Sequence, residues 1–110
     1  MPKAILIVQS GPSDPAREDE YNKWYDTTHV PEVCAVPGFT GAQRFALVEN
    51  GIAPNDPALP PYVAIYEIDA DDPQASIQEM IARVGDGRIN MSDAIGMDPI
   101  PTTWLYVARD

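Results

Sequence analysis

The sequence predicts an α+β fold of the ferredoxin-like type, in which a four-stranded antiparallel sheet carries two helices on one face. Three observations lead to this prediction. Four short apolar segments rich in β-branched or aromatic residues alternate with two segments of helical periodicity. Their order along the chain is βαββαβ, the split-βαβ arrangement. A chain of 110 residues has room for one domain, so we expect residues 1–110 to fold as a single unit.

The predicted strands are short apolar runs bounded by glycine, proline or polar residues. They cover residues 3–9, 39–48, 62–69 and 102–108. Side chains alternate between the faces of a strand, so Phe39 and Gln43 are predicted on one face of the second strand and Arg44 on the other. At most one of Gln43 and Arg44 can then line a cavity, and the alternation does not decide which.

The first predicted helix begins at Asp14-Pro15, with the aspartate as N-cap and the proline at the first helical position. It is predicted to end near Thr28, because the residue before Pro31 is pushed out of the α region. A short second helical piece is predicted over residues 31–36.

The second helix carries the same start signal, Asp72-Pro73, followed by apolar residues at the 3.6-residue period and a stop at Gly85. Residues 49–61 are too rich in proline for regular structure and form either a cover over a pocket or a surface excursion. Residues 86–101 are predicted to be irregular.

Composition excludes several classes of function. Seven Lys and Arg against seventeen Asp and Glu give a net charge of −10, which argues against binding to nucleic acid or to an anionic membrane. No apolar stretch approaches a membrane span. The single cysteine, Cys34, cannot form an internal disulfide, and a cytoplasmic location is the simplest expectation. One histidine and one cysteine cannot supply an ordinary zinc or iron site, and with no glycine-rich nucleotide loop present we expect no cofactor.

Two helices can cover only one face of the sheet. The other face is expected to carry several of four aromatic residues that are the candidates to line a cavity and bind substrate: Tyr62, Tyr66, Trp104 and Tyr106. So much aromatic surface is unusual for a monomer. We therefore expect a homodimer in which two sheets pair and enclose a cavity, and a cavity so lined favours a small apolar or aromatic substrate.

The stretch YNKWYDTTHVPEV, residues 21–33, holds the candidate chemistry. One helix face carries four of its residues: Tyr21, Trp24, Tyr25 and Thr28. His29 is the only side chain whose ordinary pKa lies near neutrality, so it is the candidate general base; the alternative is a helix-terminal histidine that bonds the last carbonyls. Asp26 is a candidate to orient the imidazole. Tyr21 and Tyr25 could line a pocket, although aromatic residues at this spacing are also typical of a core.

Arg44 is the remaining catalytic candidate, since an inward guanidinium could hold a carboxylate or a phenolate. The alternative is an ion pair with one of the seventeen acids. A hydroxyl of Tyr25 or Tyr66 could instead stabilise a developing oxyanion.

Segment 21–39, with YxxWY, HVPEV and PGF, resembles the EthD-like group of the dimeric α+β barrel superfamily, and SDAIGMDPIPTTWLYVA resembles that group's closing strand. The resemblance implies a ferredoxin-like subunit, a dimer, and a pocket between the sheet and the first helix. Members include polyketide cyclases, related lyases and isomerases, and quinol-forming or haem-degrading monooxygenases. Thr28 stands where an acid often precedes the histidine in EthD-like proteins, so a carboxylate directly beside His29 is missing here.

Three functions therefore stay open. The preferred one is a cofactor-independent cyclase, isomerase or lyase that acts on a small aromatic or polyketide-like molecule through proton transfer by His29, with Tyr25 and Arg44 assisting. The second is a cofactor-free monooxygenase that uses the same base. The third is a protein that binds a small molecule without catalysis.

Overall fold

The predicted α+β, ferredoxin-like architecture is confirmed by a computed structural model, which describes residues 3–98 and 100–109. The sheet contains four strands: β1 Lys3–Ser10, β2 Phe39–Ala46, β3 Tyr62–Asp69 and β4 Thr102–Val107. Their order is β2-β3-β1-β4, and every neighbouring pair is antiparallel. The two central strands are β1 and β3, which supply much of the buried core.

The helix-covered face of the sheet carries residues that the sequence analysis placed elsewhere. Directly paired residues point to the same face, and Leu6 of β1 pairs with Tyr66 of β3. Tyr66 is 1% exposed and lies under the helices, as does Tyr62. Trp104 and Tyr106 lie on the open face, exposed by 51% and 58%. Of the four aromatic candidates for the open face, Trp104 and Tyr106 therefore lie there, whereas Tyr62 and Tyr66 do not.

A β-bulge determines which side chains of β2 point toward the helices. Phe39 pairs with Ile68, but the next paired residue is Gly41, so Thr40 is an extra residue on this strand. The bulge turns Phe39 toward the helices, where it is 6% exposed. The prediction that Phe39 shares a face with Gln43 is wrong, because strict alternation holds only for an uninterrupted strand.

The first helical run is longer than predicted. A 3₁₀ turn over Pro15–Arg17 leads into α1, Glu18–Trp24, followed by a π-helical segment, Tyr25–His29, and by α2, Val30–Cys34. Asp14 caps the start as predicted, since its carboxylate accepts from the Ala16 N–H.

The predicted end of this run near Thr28 is wrong. In the π segment the Val30 N–H donates to the Tyr25 carbonyl, five residues back rather than four. A proline inside an α-helix clashes with the carbonyl four residues before it. The wider turn directly before Pro31 relieves that clash, so the run bends through the proline and continues.

The second helix agrees with its prediction. It is α3, Pro73–Gly85, and the Asp72 carboxylate accepts from the Ala75 N–H at its start. The first helical run and α3 lie on the same face of the sheet, with α2 against β2 and α3 against β3. The buried cluster between the layers includes Tyr21, Tyr25, Val33, Val36, Tyr66, Ile68 and Ile89.

The two long connections are irregular, as predicted. The first is closed at its base by a bond from the Leu47 N–H to the Pro61 carbonyl, and Ile52 at its tip is 92% exposed. Its ends help to line a cavity of about 280 Å³ beside Tyr62. In the second connection Ile95 forms a bridge to Pro12, while Pro99 lies outside the described residues. Within the described chain, no helix has both the length and the apolar character that a membrane span requires.

Candidate functional site

Tyr25, in the π segment, is the centre of the candidate site. Its side chain is buried, with 1% exposed, and aromatic rings surround it. The ring centroids of Trp24 and His29 lie 5.3 and 5.1 Å away, both in edge-to-face arrangements, and that of Tyr21 lies 5.5 Å away. Three rings of the predicted stretch, those of Tyr21, Trp24 and His29, thus surround the Tyr25 phenol.

His29 stacks on the indole of Trp24, with ring centroids 4.7 Å apart and planes 28° from parallel. The π turn explains this contact, because it sets residues five apart above one another. Among the described residues, the buried His29 Nδ1 has no hydrogen-bond partner. Burial lowers the pKa of His29 to about 4, and the Glu32 carboxylate opposes that shift. The imidazole is therefore neutral at pH 7 and holds a free lone pair.

Arg44, rather than Gln43, points from β2 toward the helices. Its Nη1 donates to Asp26 Oδ1 and its Nη2 to Asn22 Oδ1, both at 2.9 Å. Its guanidinium carbon lies 4.3 Å from the centroid of the Tyr25 ring, a cation–π contact. Two terminal nitrogens already have partners, so a bidentate contact to a substrate carboxylate would have to displace them.

Asp26 does not orient the imidazole. Its carboxylate pairs with Arg44 instead, and 61% of the side chain is exposed. The sequence analysis missed Asn22, the second partner of Arg44. Asn22 stands four residues before Asp26, on the same helix face, and that spacing was a usable signal.

Tyr66 brings a third polar group to the site from β3. Its hydroxyl is buried and has no hydrogen-bond partner within residues 3–98 and 100–109. Burial and the neighbouring Tyr25 phenol raise the pKa of Tyr66 far above its ordinary value, and burial also raises the pKa of Tyr25. Both phenols therefore keep their protons at neutral pH, and the unpartnered Tyr66 hydroxyl is available as a donor.

The other substrate-binding candidates lie at the edge of this arrangement or away from it. Tyr21 is fully buried, and its hydroxyl bonds that of Ser10 at 2.6 Å, which makes it a core residue. The Tyr62 hydroxyl donates to Glu18 and accepts from Asn22. Trp104 and Tyr106 point away from the site, on the opposite side of the sheet.

A cleft of about 450 Å³ opens beside Arg44, between the π segment and β2. Its walls include Asn22, Asp26, Val30, Ala42, Arg44 and Tyr62. The wall nearest to His29 is formed by Val30, the next residue along the chain. The described part of the chain contains no group of three side chains that could hold a metal ion.

Two solved structures share this architecture. The first is an ethyl tert-butyl ether D (EthD) family protein from Bacillus halodurans C-125, with a TM-score of 0.58 and 16% identity over 96% of this chain and 97% of that one. The second is an EthD-like protein from Ralstonia eutropha JMP134, with a TM-score of 0.56 and 15% identity over 94% of this chain and 89% of that one. The chain has the EthD-like fold. No family model matches the sequence, and a comparison with curated proteins gives no match.

The predicted resemblance is thus confirmed at the level of the fold. Because folds of this kind host many chemistries, the likeness alone does not assign a reaction. The roles predicted for His29, Tyr25 and Arg44 stay predictions, and they are argued below from the geometry of this chain.

Proposed function

We propose that this protein is a cofactor-independent enzyme that moves a proton on a small aromatic or polyketide-like molecule, in a cyclisation, isomerisation or elimination. His29 is the base, and a buried phenol stabilises the oxyanion that forms. The EthD-like fold of the chain supports the broader part of the proposal, a small-molecule protein.

One observation carries the proposal. Four buried side-chain polar atoms have no hydrogen-bond partner among the described residues, and three of them, from three elements, belong to side chains around Tyr25: His29 Nδ1, Arg44 Nε and the Tyr66 hydroxyl. An unpaired buried polar group costs about 1–3 kcal/mol, so folded proteins contain few of them. Three around one residue indicate a place where a ligand supplies the missing partners.

The proposed reaction begins with the His29 proton on Nε2 and the lone pair on Nδ1. Nδ1 removes a proton from a carbon next to a carbonyl; the C–H electron pair moves into the new C=C bond, and the carbonyl oxygen becomes an enolate. The Tyr66 O–H donates to that oxygen. The imidazolium then returns the proton to another carbon or to a leaving oxygen, which restores neutral His29.

The pKa of His29 narrows the substrate class. An imidazole with a pKa of about 4 is a weak base. Proton transfer is efficient only when the donor is acidic enough for that base. A carbon between two carbonyl groups meets this condition better than a simple ketone, which favours 1,3-dicarbonyl, polyketide-like compounds or phenols.

Deuterium exchange tests the first step without knowledge of the product. The protein is incubated in D₂O with a panel of aryl 1,3-diketones, and loss of the C–H signal is followed by proton NMR. We expect the wild-type protein to accelerate exchange and His29→Gln to lower the rate by about 10²–10⁴-fold. Thr27→Ser, an exposed neighbour in the same segment, is the matched control. A panel in which wild type and His29→Gln exchange at equal rates contradicts the role of His29.

A protein that binds without catalysis is the second candidate, and one observation favours it. The terminal nitrogens of Arg44 are held by Asp26 and Asn22, and the cleft beside them is walled by Val30 rather than His29. Binding without exchange in the deuterium assay would support it. Oxygen uptake with the same panel would instead support the monooxygenase alternative.

We further propose that the chain works as a homodimer that pairs two open sheet faces. This face exposes Phe45, Trp104 and Tyr106 by 42%, 51% and 58%. Association would remove this aromatic surface from water. The free, half-buried Cys34 agrees with a reducing compartment such as the cytoplasm.

A further inference from the structure

The loop between α3 and β4 reaches back to the helical run beside His29. The main-chain N–H of Asn90 donates to Glu32 Oε1 at 2.7 Å, and its side-chain Nδ2 donates to Glu32 Oε2 at 2.8 Å. The Asn90 carbonyl accepts from the indole N–H of Trp24 at 3.2 Å. One loop residue is thus bonded to two side chains on the helical run, which stand eight positions apart.

Both of these side chains act on His29. Trp24 supplies the ring on which the imidazole stacks, and Glu32 is the carboxylate that acts on its charge. The hydrogen bond from the indole N–H to the Asn90 carbonyl holds the Trp24 ring in one orientation. The orientation of the stacked imidazole then depends on the same bond.

We propose that Asn90 is a positioning residue for His29: its side chain anchors the loop to Glu32, and the anchored main chain holds the Trp24 indole on which the imidazole stacks. The catalytic consequence rests on the proposed function, whereas the effect on the imidazole does not. Reactions that need near-attack geometry lose much of their rate when a base shifts by about 1 Å. A loop contact that is remote in sequence therefore belongs to the site.

The test is NMR of the full chain, in which His29 is the only histidine and its ring signals need no assignment. Asn90→Ala removes the Nδ2 bond to Glu32, the one bond of the three that the Asn90 side chain makes, and leaves Glu32 and Tyr25, the ionisable groups beside the imidazole, unchanged. We expect the ring-current shift of the imidazole Hε1 proton to decrease, and the pKa of His29 to rise toward its ordinary value by about one unit as water gains access.

Two further variants make the result specific. Glu32→Gln leaves a single acceptor oxygen for the two Asn90 donors, so one of the two bonds is lost. The double variant with Asn90→Ala should displace the Hε1 signal no further than the larger of the single changes. Asp93→Ala is the matched control, because Asp93 tethers the same loop to Arg17 and contacts neither Trp24 nor Glu32 in the described structure. We expect it to leave the imidazole signals unchanged.

Wild-type imidazole signals in folded Asn90→Ala would overturn the proposal, as would an equal displacement in Asp93→Ala. If Asn90→Ala does not fold, Glu32→Gln decides by the displacement of the Hε1 signal alone, since loss of the Glu32 charge itself lowers the pKa of His29. With an identified substrate, Asn90→Ala should lower kcat about tenfold or more with little change in KM. Displaced NMR signals in a protein without any turnover would refute the proposed function and leave the positioning role standing.

Discussion

Acid should destabilise this protein through His29, and His29→Gln should remove that part of its pH dependence. Above pH 6.5 the imidazole is neutral in both the folded and the unfolded chain. Below pH 6.5 the unfolded chain takes up a proton that the folded chain, with its pKa of about 4, does not. The free energy of unfolding therefore falls as the pH is lowered from about 6.5 to about 4.

The size of the effect follows from the difference between the two pKa values, 6.5 and about 4. One pKa unit corresponds to about 1.4 kcal/mol, so the wild-type protein should lose about 3 kcal/mol through this group between pH 7 and pH 4. Domains of this size are usually stable by about 5–15 kcal/mol, so a loss of this size is measurable.

Urea unfolding at pH 7, 5.5 and 4, followed by circular dichroism, measures the loss for wild type and His29→Gln. Exposed carboxylates whose pKa is lowered by arginine partners, Glu20, Asp86 and Asp93, also lose stabilisation in acid. They are common to both proteins and cancel in the comparison. A difference under about 1 kcal/mol, or an imidazole signal that titrates near 6.5, would show that the His29 ring is solvated and refute the reasoning.

Three further predictions concern the core, the chain turn before β2 and the open face. Tyr66→Phe removes an unpartnered buried hydroxyl, so thermal unfolding should show equal or higher stability while the deuterium exchange rate falls; a clear loss of stability would mean that the hydroxyl has a partner. Gly38→Ala should lower the free energy of unfolding by about 2 kcal/mol or more, because Gly38 has φ +96° and a Cβ there would overlap Ser76 Oγ. Gly85 lies in open space at the end of α3, so Gly85→Ala should leave that free energy unchanged or raise it in the same urea titration. Trp104→Glu should convert the proposed dimer to a monomer by light scattering, and a wild-type chain that is itself monomeric at micromolar concentration would contradict the dimer.

Elements with local signals were predictable from the sequence. The strands follow from alternating apolar residues, and their observed bounds differ from the predicted ones by two residues or fewer. Both helix starts follow from an aspartate whose carboxylate accepts a main-chain N–H of the first turn. These interactions join residues within a few positions of one another, so a local sequence pattern is enough to predict them.

The candidate site was predicted only in part. His29, Tyr25 and Arg44 do lie around one another, but Asp26 pairs with Arg44 rather than with the imidazole, and the partners Asn22 and Asn90 were not foreseen. Asn90 is 58 residues from Glu32, and no local sequence pattern predicts a contact over that separation.

Local patterns in the chain establish which segments become strands and helices, and their order permits a sheet with helices on one face. Which face of each strand meets the helices depends instead on packing between distant segments. Both sides of β3 are apolar, with Tyr66 and Ile68 on one and Val63 and Ile65 on the other, so alternation is symmetric and the choice depends on cross-strand partners. The same holds for Pro31, since a proline ends a helix unless a wider turn, held in place by distant packing, makes room for its ring.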